Sequence, residues 1–253
     1  MLEQQYTDFA RVYDTLMDNV DYPAWSRRIT ELLKTEGIRD GLVLDLGCGT
    51  GSLTELLAQT GYDMIGVDAS PEMLARAYEK KERSGSDILY LCQEMQEFEL
   101  YGTVRAVISV CDSLNYILTR PELEKVFSLV HNYLEPGGVF LFDMNSPRKY
   151  REILADQVIA EARDDVSFIW ENDFDIETGR NTCFLNLFMK RADDLYERYQ
   201  ELHLQQSYEA EDIKKLLMRQ GFTCPETYDG YGRAPAAPES ERILFLCREN
   251  TKQ

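Results

Sequence analysis

The chain has 253 residues, and its 45 acidic residues outnumber the 27 basic ones, which gives a formal net charge of −18. This charge argues against nucleic acid as the main partner, because non-specific binding of nucleic acid depends on phosphate neutralisation by lysine and arginine. The length fits one elaborated α/β domain, or a domain with a subdomain, and needs no disulfide or metal support.

The sequence contains six cysteines and two histidines, and no two cysteines form a Cys-x-x-Cys pair. This pattern predicts no metal site and a reducing compartment. We see no signal peptide and no apolar stretch of membrane length, so we expect a cytoplasmic protein with no membrane partner.

The first 150 residues alternate between helical and strand-like segments. Residues 7–36 read as helical, with Gly37 as a stop. Strands are then predicted at 42–46, 62–67, 88–92, 104–111 and 138–143, and helices at 51–60, from Ser70-Pro71 onward and at 120–134, the last closed by Pro136-Gly137-Gly138. Such alternation predicts a doubly wound, parallel sheet.

The pattern changes at about residue 158. Residues 158–206 show strand-like alternation with turn signals between the strands, which predicts an antiparallel β-meander over the carboxyl edge of the sheet. The core pattern resumes with Ser207 as the cap of a helix at 209–220, followed by strands at 222–228 and 242–248. We therefore expect a mostly parallel seven-stranded sheet formed by residues 1–157 and 207–253, with 158–206 as a lid that contributes to the substrate site.

The first strand ends in an acid, Asp45, and is followed at once by Gly47, Gly49 and Gly51. Glycines let the loop turn tightly and bring bare backbone against a ligand. A loop that binds only pyrophosphate gains nothing from the preceding acid, whereas a ligand that carries an ammonium or sulfonium group does.

Three further strand ends carry residues suited to a nucleoside. In an open parallel sheet ligands bind beyond the carboxyl ends of the strands. Asp68 is placed to bond both ribose hydroxyls, Glu94 could accept from an exocyclic amine while Met95 packs on a purine, and Cys111-Asp112-Ser113 would lie opposite the reactive part of the ligand. Taken singly, each of these features could be only a turn or a surface acid. Their joint placement at strand ends predicts a ligand-binding site.

The spacing of the glycines distinguishes a nicotinamide cofactor from S-adenosylmethionine. A nicotinamide fingerprint requires Gly-x-Gly-x-x-Gly, but Ser52 stands at the third glycine position and an acid precedes the first. Both departures favour S-adenosylmethionine, and a dehydrogenase remains a distant alternative.

The Asp-Leu-Gly-Cys-Gly-Thr-Gly motif of residues 45–51 resembles that of class I S-adenosylmethionine-dependent methyltransferases, over residues 1–145 and 207–248. Residues 5–13 resemble the opening of the glycine N-methyltransferase-like, small-molecule branch, although the arginine expected shortly before Tyr22 is absent. The resemblance implies a Rossmann-like fold in which Asp68 holds the ribose and Glu94 meets the adenine amine. The cofactor contacts expected are Tyr6, Tyr13, Asp45, Gly47, Cys48, Gly49, Gly51, Asp68, Ala69, Met73, Glu94, Met95 and Cys111. For Tyr6 and Tyr13, which would close over the cofactor, plain helix packing is the alternative.

Methyl transfer from a sulfonium needs mainly placement of the two reactants, and a general base only if the acceptor arrives protonated. The catalytic candidates are Asp112 and His203, and the substrate candidates are Tyr116 and Tyr199. His203 shares a strand face with Tyr199, Glu201 and Gln205; this face either looks toward the methyl group or is an ordinary solvated face. We interpret the second histidine, His131, as structural.

The favoured function is thus methyl transfer from S-adenosylmethionine to a small organic acceptor, with S-adenosylhomocysteine as the product. Methylation of protein or RNA remains an alternative, as does a cofactor-binding module without catalysis. Either a monomer or a homodimer is compatible with the sequence.

Overall fold

The computed structural model describes residues 6–252 and forms a seven-stranded sheet flanked by helices, together with a separate four-stranded sheet. The helices are α1 (Tyr13–Leu16), α2 (Tyr22–Thr35), α3 (Ser52–Ala58), α4 (Pro71–Ser84), α5 (Arg120–Tyr133) and α6 (Ala210–Arg219). The strands are β1 (Gly41–Leu46), β2 (Tyr62–Asp68), β3 (Leu89–Cys92), β4 (Val104–Ser109), β5 (Leu134–Asn145), β6 (Val158–Ala162), β7 (Val166–Asp175), β8 (Arg180–Lys190), β9 (Tyr196–Gln206), β10 (Glu226–Asp229) and β11 (Arg242–Arg248).

The large sheet has the strand order β10-β11-β5-β4-β1-β2-β3. All neighbours pair in parallel except β11, which runs antiparallel to both β5 and β10. The strand order reverses beside β1, because β2 pairs with one of its edges and β4 with the other. The predicted mostly parallel, seven-stranded sheet is confirmed, and the reversal places a ligand crevice at the end of β1.

Local chemistry explains the helix starts. The Ser70 hydroxyl accepts from the backbone N–H of Met73 at 3.1 Å, and Pro71 occupies the first turn of α4. The predicted helix over 7–36 is wrong in its middle, because Asp21 caps a new helix by accepting from the N–H of Ala24 at 2.9 Å.

Three other predicted element ends are wrong. Helix α5 ends at Tyr133, and Pro136-Gly137-Gly138 lies inside β5, whose first residue Leu134 is buried and already belongs to the strand. No side chain caps α6, whose N-cap position is Glu209 rather than Ser207. Strand β10 covers only the second half of the predicted 222–228, because Phe222 forms an isolated bridge with Glu249 instead.

The second sheet has the order β6-β7-β8-β9, with every pair antiparallel. This confirms the predicted meander. Its last strand contacts a short 3-10 turn, Ser113–Tyr116, that follows β4: Asn115 donates to the carbonyl of Gln206 at 2.8 Å. The meander therefore lies at the carboxyl edge of the large sheet, where the crevice opens.

Within residues 6–252, no helix is long and apolar enough to cross a membrane. No group of three or more potential metal ligands is found in the same part of the chain.

Candidate active site

A cavity of about 440 Å³ opens where β1, β2 and β4 end. Most of the residues expected at the cofactor line it: Tyr6, Tyr13, Asp45, Gly47, Cys48, Gly49, Asp68, Ala69, Met73, Glu94, Met95 and Cys111, together with the substrate candidate Tyr116. Sequence analysis missed Tyr22, Ile117, Leu118, Leu202 and Leu204, which line it as well. The apolar members of this set cannot be recognised as site residues from the sequence, because apolar residues in a strand or loop are usually part of the hydrophobic core.

The glycine loop lies between β1 and α3. Gly49 adopts φ 55°, and its N–H donates to Asp68 at 2.8 Å. A Cβ at Gly49 would lie 3.3 Å from the Met73 methyl group, at the wall of the cavity. Gly51, expected to contact the cofactor, is not among the lining residues; a side chain there would overlap the hydroxyl of Tyr90, so this glycine is required for packing.

Asp45 is almost fully buried at the end of β1. One carboxylate oxygen accepts from the Thr54 hydroxyl at 2.6 Å, and the other, Oδ1, is buried without a hydrogen-bond partner in the protein. Burial raises the pKa of Asp45 to about 7, with the nearby Asp68 carboxylate adding to the rise and the Thr54 hydrogen bond opposing it. Asp45, which lines the cavity, therefore keeps unused hydrogen-bond acceptor capacity.

Asp68 terminates β2 and binds two backbone amides, from Gly49 at 2.8 Å and Ser70 at 2.9 Å. Burial raises the pKa of Asp68, whereas these two amide hydrogen bonds lower it. Each carboxylate oxygen can accept a further bond, so the group can still receive two hydroxyl donors.

Residues 6–16, which we call the strap, cross the cavity. The Tyr6 carbonyl accepts from the Ser70 hydroxyl at 2.9 Å, and Glu201 on β9 accepts from the backbone N–H groups of Tyr6 at 2.8 Å and Phe9 at 2.9 Å. One carboxylate thereby fastens the strap to the second sheet. The polarity of β9 hinted at a functional face, but no local signal identifies the strap as its partner.

Asp112 does not lie open to the cavity. Its carboxylate pairs with Arg242 at 2.7 Å and accepts from the Gln205 amide at 2.6 Å. Arg242 also pairs with Asp143 at 2.6 Å. Two partners thus occupy the carboxylate that the sequence suggested as a free base.

His203 is buried, with 4% of its surface exposed, so the solvated-face interpretation is wrong. Its Nε2 lies 3.1 Å from Glu201 Oε2, and its Nδ1 lies 3.3 Å from the Tyr116 hydroxyl. The opposite, apolar side of β9 reaches the cavity through Leu202 and Leu204. Tyr199, expected at the substrate, instead accepts from the Arg11 guanidinium at 3.3 Å and is absent from the cavity lining.

Comparison with known proteins agrees with this geometry. The profile of a family described as "Methyltransferase domain" matches residues 43–138. A protein from Geobacillus sp. (strain WCH70) that is named as a methyltransferase is 37% identical over 248 residues, covering 96% of this chain and 99% of the relative. A dTDP-3-amino-3,4,6-trideoxy-alpha-D-glucopyranose N,N-dimethyltransferase from Streptomyces venezuelae is 31% identical over 151 residues, covering 59% of this chain and 61% of the relative.

Among solved structures, an S-adenosylmethionine-dependent methyltransferase from Clostridium acetobutylicum ATCC 824 superposes with a TM-score of 0.88 at 32% identity, over 98% of this chain and 100% of the other. The likeness thus extends beyond the glycine loop to the strap and the second sheet. The chain belongs to the class I S-adenosylmethionine-dependent methyltransferases, enzymes that take the methyl group from S-adenosylmethionine.

Proposed function

We propose that this enzyme methylates a small organic acceptor that binds at the apolar end of the cavity, beside Tyr116. The observation that carries the proposal is the continuity of this single cavity. It runs from the glycine loop, past Tyr116, to Ile117, Leu118, Leu202 and Leu204. Its volume is in the range of small-molecule sites, which are mostly apolar with a few polar groups.

The residues at the other end fit S-adenosylmethionine. The unpartnered Asp45 oxygen suits its cationic methionine end, and the free acceptor capacity of Asp68 suits the ribose hydroxyls. Glu94 and Met95 would meet the adenine, while Tyr6 and Tyr13 on the strap would cover the cofactor. When bound, S-adenosylmethionine supplies an electrophilic methyl group on a good leaving group; the protein contributes placement and exclusion of water.

The charges of the residues that line the cavity limit the chemical class of the acceptor. Among the described residues, those that line the cavity include no lysine, arginine or histidine, and the acidic ones cluster near the glycine loop. A carboxylate or phosphate of the acceptor that entered the apolar end, among Ile117, Leu118, Leu202 and Leu204, would be buried without a counter-charge, which is costly. An amine or phenol fits this end. The name of the Streptomyces venezuelae relative, an N,N-dimethyltransferase of a dTDP-linked amino sugar, supports nitrogen as the nucleophile but gives no support to the exclusion of phosphate elsewhere in the acceptor.

We also propose a division of labour along the chain. Residues 1–157 and 207–253 would form the cofactor-binding core, and residues 158–206 the lid that completes the acceptor end. Support comes from β6–β9, which pair only with one another, and from β9, which supplies Leu202 and Leu204 to the cavity.

Incubation with S-[methyl-³H]adenosylmethionine and a panel of amines, phenols and carboxylic acids tests this proposal. We expect label in amines or phenols and none in carboxylic acids. Label found only in added protein or RNA would instead support a macromolecular acceptor. Tight cofactor binding without label in any acceptor would favour a binding module without catalysis.

Replacing Asp68 by alanine should weaken cofactor binding more than tenfold, at least about 1.4 kcal/mol. The variant loses the proposed ribose acceptor and the group that positions the Gly49 amide. Isothermal titration calorimetry with S-adenosylhomocysteine measures the effect. The matched control is Asp63→Ala, which removes an exposed acid from the same strand and should leave the dissociation constant unchanged; equal effects would contradict the assignment.

Cofactor affinity should depend on pH through Asp45. Because burial raises the pKa of Asp45 to about 7, this group is mostly protonated below that pH and must lose its proton to pair with a cation. Affinity for S-adenosylmethionine should therefore rise about tenfold between pH 5.5 and 7. Calorimetry of Asp45→Asn, which cannot ionise, should give a nearly flat profile over that range; an unchanged slope would assign the effect to another group.

A further inference from the structure

We propose that Glu201, His203 and Tyr116 form a proton relay that takes a proton from a protonated methyl acceptor before it is methylated. The inference rests on the proposed function, because it requires the acceptor to bind beside Tyr116. In this scheme Tyr116 is the catalytic residue, since it lines the cavity, whereas His203 and Glu201 are positioning residues that act through it.

The geometry begins with β9. Residues two apart on a strand share a face, so Glu201 and His203 point the same way, into a space where both are 4% exposed. Glu201 Oε2 lies 3.1 Å from His203 Nε2, and His203 Nδ1 lies 3.3 Å from the Tyr116 hydroxyl oxygen. The three groups thus form an unbroken line from a buried carboxylate to the cavity wall.

The hydrogen bonds of Glu201 determine which nitrogen of His203 carries the proton, and so the direction in which a proton can move. Burial alone would raise the pKa of Glu201, but hydrogen bonds from His203 and from the Phe9 and Tyr6 amides lower it, so the carboxylate is ionised. An ionised carboxylate can only accept, which requires the proton of the neutral imidazole to be on Nε2. Nδ1 is then a bare acceptor directed at Tyr116, as in any arrangement in which a carboxylate sets the tautomer of a histidine.

The other groups that face the imidazole are uncharged. The ring of Tyr6 meets it edge-on at 4.8 Å, that of Phe9 at 6.0 Å, and the Cys183 thiol lies opposite it on β8. Burial raises the pKa of both Tyr6 and Cys183, which keeps them neutral. The Tyr6 hydroxyl donates to Tyr116 at 2.6 Å and would stabilise a developing phenolate. Glu201 is therefore the charged group in direct contact with the imidazole, where it would stabilise an imidazolium.

Protons, charge and electrons are all conserved in the proposed step. An alkylammonium has no lone pair and a neutral phenol is a weak nucleophile, so the proton leaves before the bond to the methyl carbon forms. It passes to the Tyr116 oxygen, whose own proton passes to His203 Nδ1, and the freed lone pair of the acceptor nitrogen or oxygen then attacks the methyl carbon. The electrons of the broken C–S bond remain on sulfur, and nothing is oxidised or reduced. The imidazolium beside Glu201 carries the charge of the proton taken from the acceptor, while the charge of the sulfonium is transferred with the methyl group to the acceptor atom. The proton returns to solvent when the product leaves. Acceptors that must lose a proton before they can attack, such as alkylammonium ions and phenols, are the class this relay serves.

The tautomer can be tested without knowing the natural acceptor. The chain has two histidines, so the variant His131→Asn labelled with ¹⁵N-histidine gives one imidazole signal set. In the neutral form of the imidazole we expect the proton on Nε2 and a bare Nδ1. Tyr116→Phe should shift the Nδ1 resonance, because it removes the hydroxyl donor, and leave Nε2–H in place. A proton on Nδ1 would overturn the relay, since that imidazole could not take the proton of Tyr116.

Activity with two probe acceptors supplies the second test. Benzylamine is protonated at neutral pH, whereas aniline is already neutral. His203→Gln, which can keep hydrogen bonds but cannot accept a proton, should lower kcat/KM for benzylamine at least tenfold more than for aniline. It should also leave the affinity for S-adenosylhomocysteine unchanged.

The possible outcomes separate the two proposals. Equal loss on both amines would indicate a structural role for His203 and overturn the relay. If the wild-type enzyme methylates neither these amines nor any member of the wider panel, the small-molecule function fails, and the tautomer measurement alone decides whether the relay geometry exists.

Discussion

Gly49→Val should abolish measurable binding of S-adenosylhomocysteine, a loss of more than about 100-fold or about 2.8 kcal/mol. Gly49 has φ 55°, a conformation that a β-branched residue strongly resists. Its Cβ would lie 3.3 Å from the Met73 methyl group, and the added valine methyl groups would project into the space that the cofactor needs. The variant would also disturb the amide that binds Asp68.

The control for this variant is Gly85→Val. Gly85 has φ 70° at the end of α4, and a Cβ there would meet nothing within 4 Å. This substitution therefore carries a similar backbone strain without touching the cavity. Calorimetry should show normal binding for Gly85→Val, and circular dichroism should show both variants folded. Retained affinity in a folded Gly49→Val protein would refute the assignment of the glycine loop to the cofactor.

Arg242→Ala should reduce the free energy of unfolding by about 3–5 kcal/mol. Arg242 lies between Asp112, at 2.7 Å, and Asp143, at 2.6 Å, and the side chain of Asp143 has no exposed surface. Removing the guanidinium leaves the Asp112 and Asp143 carboxylates without their ion-pair partner. Urea unfolding followed by circular dichroism measures the change.

Arg219→Ala is the matched control, because its ion pair with Glu124 at 3.2 Å is exposed on both sides. Exposed pairs contribute little, so this variant should lose no more than about 1 kcal/mol. Similar losses in the two arginine variants would show that the buried cluster contributes no more than a surface pair.

The ion-paired group of Arg242, Asp112 and Asp143 also supports the backbone next to the cavity. Asp143 accepts from the backbone N–H groups of Cys111 at 3.1 Å and Asp112 at 2.7 Å. Both of these residues have positive φ, at 56° and 51°, which non-glycine residues adopt only when the surroundings hold them. The arginine and its two acids therefore stabilise the bend that directs the following turn, and with it Tyr116, toward the cavity.

The sequence determined the order of strands and helices along the core and the positions of Asp45 and Asp68 at strand ends. These features follow from local periodicity and from residues that are neighbours along the chain. An apolar run followed by an acid and glycines can be recognised within about ten residues. Element ends were less determined. A proline and two glycines after α5 indicated a loop, yet they lie in an irregular part of β5, because Leu134 and Val139 on either side of them both pair with β4.

Only the tertiary structure decided what each side chain faces. Alternation along β9 divides Glu201 and His203 from Leu202 and Leu204, but it cannot tell which face is covered. The polar face is buried because its partners come from elsewhere: the strap is 195 residues from Glu201 in sequence, and Tyr116 is 87 residues from His203. Asp112 looked like a free base for the same reason, since Arg242, which neutralises it, lies 130 residues away. Buried polar groups must be paired, and pairs this distant form only when the chain folds.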